Sequence, residues 1–214
     1  MLNCDTLFSI LPMFFLITQL LVTTALLQGP AAKLRPLLAA SVVAAKPAPV
    51  TKPAPAAAIS WSATRPLTLA DFLGRPAAGE PLAALSATDI RAGAACRDYV
   101  FSGTVKATFD PNTSWLRDAK GATPMLLRHE QLHFDLTEVY ARLLRQKLVA
   151  FQAKANCEKL QPAFDNLTKP LYTAWNREQN RYDQETNHGL NAVRQVYWEK
   201  QTQLRLEQLQ AFAQ

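Results

Sequence analysis

Two of the three histidines in this 214-residue chain stand four positions apart, in His129-Glu130-Gln131-Leu132-His133. This spacing, H-E-x-x-H, restricts the fold more than any other feature. Two imidazoles at i and i+4 can share one ion only if the segment is an α-helix, which stacks them a turn apart on one face. Glu130 then lies beside them, within reach of a water on a shared metal. A tetrahedral catalytic zinc takes three protein ligands and keeps its fourth position for water. The remaining histidine, His188 in Tyr182-Asp183-Gln184-Glu185-Thr186-Asn187-His188-Gly189, is the expected third ligand, with Asp183 and Asp135 competing as carboxylates. If Asp135 is not a ligand, it is expected to accept the outer N–H of a ligating histidine. Glu130 is the expected general base, and Tyr182 the expected donor to a developing oxyanion, its alternative being a core tyrosine. The bland alternative for the whole motif is a pair of core or surface histidines that flank a glutamate.

The hydrophobic period changes along the chain, and the fold class follows from where it changes. In Tyr99-Val100-Phe101-Ser102-Gly103-Thr104-Val105-Lys106-Ala107-Thr108-Phe109 the odd positions are largely apolar, the period of a half-buried strand, with Gly103 as the expected site of a bulge. A strand over Ala83–Ile90 is expected to pair with it, and Asp110-Pro111-Asn112 ends the sheet. From Thr123, an N-cap followed by Pro124, the period becomes helical: Leu132, Leu136, Val139 and Leu143 form a stripe in a helix expected to reach about Ala155. A second helix is expected after Pro162 and through Trp175 to Asn187, where Gly189 closes or kinks it, and a third from Leu190 to Phe212. The reading is α+β, a small antiparallel sheet followed by three long helices.

The amino-terminal region has a different character. Leu7–Leu27 carries no charge, long enough for a signal peptide or a membrane anchor. Residues 30–58 are rich in Ala, Pro and Lys, with Lys46-Pro47-Ala48-Pro49 echoed by Lys52-Pro53-Ala54-Pro55, a composition suited to an extended spacer. The expected organisation is therefore a leader over 1–29, a linker over 30–58 and a folded domain over 59–214. The expected location is outside the cytoplasm, periplasmic or extracellular, with a tether to the inner membrane if the leader is retained. Of the formal net charge of +6, residues 1–65 carry +4, so the rest of the chain is close to neutral and has no electrostatic footprint for nucleic acid. With Cys4 in the leader, Cys96 and Cys157 are the only pair in the domain, and an oxidising compartment would let them join. The alternative is two unlinked thiols.

His129-Glu130-Gln131-Leu132-His133-Phe134-Asp135 and Tyr182-Asp183-x-x-Thr186-x-His188-Gly189, with Ser114-Trp115 and the opening Arg65-Pro66-Leu67-Thr68-x-x-Asp71-Phe72-x-Gly74, resemble a bacterial family of proposed secreted zinc-dependent proteases catalogued as a domain of unknown function. The resemblance spans about residues 65–200. Leu132 stands where such relatives carry a small residue, and Leu69 where they carry an aromatic; neither position is an expected ligand. The resemblance implies a zincin-like fold and a Zn2+ metallopeptidase acting on peptide or protein substrates. Two other readings are a zinc-binding scaffold of the cell envelope without turnover and a zinc amidase acting on cell-wall peptides.

Overall fold

The computed structural model describes residues 54–214. The apolar leader and most of the Ala/Pro/Lys-rich segment lie outside the described residues. In chain order the elements are β1 (Ile59–Ser60), β2 (Ala84–Leu85), β3 (Thr88–Arg97), β4 (Val100–Phe109), β5 (Trp115–Leu116), α1 (Pro124–Gln152), α2 (Leu160–Thr186) and α3 (Ala192–Gln208). The architecture is α+β, with small antiparallel sheets followed by three helices, as the change of period predicts. Among the described residues no helix is long and apolar enough to cross a membrane.

β3 and β4 form a hairpin whose two connecting residues, Asp98 and Tyr99, both have positive φ, the backbone twist that two-residue hairpins favour. β1 pairs on the far side of β4, so the sheet order is β1-β4-β3. Two strand expectations change. The register runs unbroken through Gly103, which stands opposite Ala94, so there is no bulge. A Cβ there would come within 3.0 Å of the Phe101 ring and 3.2 Å of Leu148, so the glycine lets the sheet approach α1 closely. The expected strand Ala83–Ile90 is also two separate pieces: Ala84 and Leu85 pair with β5, while Thr88 onward pairs with β4. Between them the chain is held by side chains, Ser86 Oγ donating to the Glu130 carbonyl and the Ala87 N–H to Ser114 Oγ, which lets it change partners.

α1 is the centre of the molecule. It starts where the sequence places it, with Thr123 Oγ1 accepting the Leu126 N–H at 3.1 Å and Pro124 in the first turn. One side buries Phe134, Ala141, Leu144 and Leu148 against Val105, Ala107 and Phe109 of the sheet. The other buries Leu132 and Leu136 against Tyr182 of α2 and Trp198 of α3. α2 begins ahead of Pro162, which falls in the first turn where its missing N–H costs nothing. A charged cluster fastens the chain end to α1: Glu138, almost fully buried, accepts from Arg142 at 2.8 Å and Arg145 at 3.0 Å, and these reach the carbonyls of Leu206 and Phe212.

Cys96 at the end of β3 and Cys157 ahead of α2 are joined in a disulfide across a sequence separation of 61. The bridge ties the hairpin to the α1–α2 connection. Chain-entropy arguments for a loop of this length give about 4 kcal/mol of stabilisation. The double substitution Cys96→Ser/Cys157→Ser is expected to lower the unfolding free energy by that order. Urea titration of this variant, beside wild type with and without reductant, checks it. If reduction leaves the wild-type midpoint unchanged, the bridge is not stabilising.

Candidate metal centre

α1 presents His129, Glu130 and His133 from one stretch of helix, and α2 presents Gln179, Tyr182 and Asp183 from its last two turns. The two histidine Nε2 atoms lie 3.3 Å apart. Asp183 Oδ1 lies 3.1 Å from the Nε2 of His129 and 2.9 Å from that of His133. Donor atoms bound to one ion at about 2.0–2.1 Å with tetrahedral angles stand roughly 3.3 Å from each other, so the spacing suits a metal of this size.

Which nitrogen carries the proton follows from the hydrogen-bond partners. Gln179 donates its Nε2 to the His133 carbonyl, a pure acceptor, which turns its Oε1 toward His133 Nδ1 at 2.7 Å. Gln195 of α3 donates its Nε2 to the Glu199 carboxylate, also a pure acceptor, which turns its Oε1 toward His129 Nδ1 at 3.3 Å. Both imidazoles are therefore oriented to donate from Nδ1, and in the neutral form each keeps its lone pair on Nε2. In that neutral form three lone-pair atoms converge, an arrangement that a cation, whether a metal ion or a proton, occupies favourably. Protons answer the same demand. Burial pushes the His133 pKa down, but the hydrogen bond and charge of Asp183, with the charge of Glu130 and the Gln179 contact, outweigh it and hold the group above its ordinary value. Burial raises the Asp183 carboxyl, but the two imidazoles more than offset this and hold it well below the usual carboxylate range.

Glu130 is buried, and its Oε2 has no hydrogen-bond partner although it lines the same cavity. An unpaired buried carboxylate oxygen is costly unless something that the site receives completes it. The cavity measures about 180 Å³, and its other wall is β2 with the two residues ahead of it, Leu82 and Ala83 followed by Ala84 and Leu85. The Arg117 N–H bonds the Ala83 carbonyl, and Leu85 pairs with Trp115. By the alternation of antiparallel ladders, the N–H and C=O of Ala84 point away from β5 and leave an open strand edge.

The structure corrects three expectations. The third donor beside the histidines is Asp183, not His188. α2 ends at Thr186, and Asn187, His188 and Gly189 all take positive φ, so His188 is carried by the turn after the helix and not by the face that carries Asp183. His188 instead stands on the cavity rim, about half exposed, its Nδ1 3.7 Å from Asp183 Oδ1. Gly189 is required here for a second reason: a Cβ would lie 2.9 Å from the His129 Cβ.

Tyr182 is not placed to donate to an oxyanion. It is fully buried, stacks on the His129 ring at 4.7 Å and has its hydroxyl 2.7 Å from Gln195 Oε1 and 3.2 Å from the His129 carbonyl. Burial drives its pKa upward. Its role is to pack and fix His129. Asp135 likewise does not touch a histidine; it accepts from Trp61 Nε1 at 2.8 Å and Gln131 Nε2 at 2.7 Å, on another side of α1. The outer N–H groups go to Gln179 and Gln195, which the sequence reading missed. Gln179 lies one turn before Asp183 and was discoverable once Asp183 is a ligand; Gln195 has no local signal.

No curated protein and no solved structure matches the chain. A family model does match, over residues 82–189, a span that holds β2 to α2 and every residue of the site except Gln195 and its partner Glu199. Its description is "Bacterial protein of unknown function (DUF922)".

Proposed function

Since the chain belongs to this DUF922 family of bacterial proteins, which carries no assigned activity, we propose from the site itself that it is an exported zinc-dependent metallopeptidase. The observation that carries the reading is the convergence of two imidazole nitrogens and a carboxylate oxygen beside a second, buried and unpartnered carboxylate. His129, His133 and Asp183 would hold the ion. When bound there, zinc supplies a Lewis acid and lowers the pKa of a water to about 7. Glu130 Oε2 takes the proton of the attacking water and returns it to the departing amide nitrogen. The open edge of β2 offers backbone groups to an extended peptide, and Leu82, Leu85 and Leu126 offer apolar wall to its side chains.

Two imidazoles and a carboxylate also suit non-haem iron. Glu130 favours hydrolysis, because a buried carboxylate free to accept a proton serves water attack directly. The disulfide and the uncharged Leu7–Leu27 segment support export to an oxidising compartment. The test is elemental analysis of protein never exposed to chelator, beside digestion of a mixed peptide library. One zinc per chain is expected, with cleavage that stops on chelation and returns with zinc. Absence of stoichiometric metal would overturn the reading, and bound zinc without cleavage of peptides or cell-wall sacculi would favour the scaffold.

A further inference from the structure

We infer that Gln195 and Glu199 of α3, outside the segment that the family model covers, are positioning residues that set how tightly the two-helix site holds its metal. The inference rests on the metal reading above and extends it to an element that supplies no ligand.

Gln195 is fully buried, and among the described residues its carboxamide is the only side chain of α3 hydrogen-bonded to a ligand ring. Its Oε1 is shared by His129 Nδ1 and the Tyr182 hydroxyl, at 3.3 and 2.7 Å. Its Nε2 is 3.0 Å from Glu199 Oε1, and the same oxygen accepts from Arg128 Nε at 2.9 Å. Arg128 precedes His129 in the chain, so the series runs from α1 to α3 and back to the ligand. The carboxylate does two things. As an acceptor only, it prevents the amide from flipping and so keeps an oxygen, never an N–H, facing His129. It also polarises the amide, making its oxygen a better acceptor and His129 Nε2 a stronger donor to the ion. A flipped amide would push the proton of His129 onto Nε2 and block the metal.

The test uses the full chain and measures zinc affinity by competition with a chromophoric chelator, and thermal unfolding of the zinc-free protein. Gln195→Leu is expected to weaken zinc about 10–100-fold, the usual range for outer-layer partners of metal ligands, while the zinc-free unfolding temperature stays within a few degrees. Gln195→Glu alone places a second carboxylate against Glu199 and should bind zinc poorly. The exchange Gln195→Glu/Glu199→Gln restores an acceptor facing His129 and a donor facing that acceptor, so its affinity should return to within about threefold of wild type. A merely structural role would not produce that recovery.

Wild-type affinity in Gln195→Leu overturns the inference and leaves the metal reading intact. Should Gln195→Leu fail to fold, the other two variants decide alone: recovery in the exchange supports the inference, and equal weakness of single and double variants overturns it. A wild-type protein that binds no zinc overturns both.

Discussion

Glu130→Gln is expected to bind zinc as wild type does and to lose hydrolysis by about 10²–10⁴-fold, the usual contribution of a positioned general base. The substitution is nearly isosteric and changes none of the three donor atoms, so the site should still fill. What disappears is the acceptor for the proton of water. In the wild-type fold Glu130 Oε2 is buried and unpartnered beside those donors, whereas Asp183, the other carboxylate there, is held by both histidines through Oδ1 and is committed to the ion in the proposed site. Metal content and steady-state turnover, measured on one preparation, separate the two effects. Turnover near wild-type level in a zinc-loaded Glu130→Gln protein would remove Glu130 from the proposed role.

Asp183→Ala is expected to cost more zinc affinity than any outer-layer change, well beyond 100-fold, whereas His188→Ala should leave stoichiometric binding in place. Removing Asp183 takes away the one donor that α2 contributes within 3.1 Å of both histidines and also the charge that offsets the ion. Removing His188 takes away a half-exposed ring on the rim. Chelator competition on the two variants gives the comparison directly. Lost binding in His188→Ala together with retained binding in Asp183→Ala would reverse the assignment and restore the histidine as ligand.

Much of this was legible because it is local. Thr123-Pro124 starts a helix wherever it occurs ahead of an apolar stripe, and the helix period alone puts His129 and His133 on one face with Glu130 adjacent. The strand β4 was visible in the alternation from Val100 to Phe109, but the extent of its hairpin partner β3, Thr88–Arg97, was not. The carboxylate and the two glutamines were not legible in the same way. Asp183 and His188 are both plausible donors at similar distance along the chain, and choosing between them requires knowing that the helix stops at Thr186 and that three left-handed residues follow. The break at Ser86 and Ala87 also escaped the alternation, because it is produced by side chains of Ser86 and Ser114 bonding to distant backbone.

The amino-acid order by itself determined the helix that carries the two histidines and the glutamate, since helix period and capping depend on neighbours within a few residues. The tertiary structure alone decided the third donor, the burial of Tyr182 and the glutamines that fix each ring, because those depend on which face of α2 and α3 is pressed against α1. Packing of distant segments is settled by summed burial and hydrogen-bond satisfaction, and no local spacing encodes it.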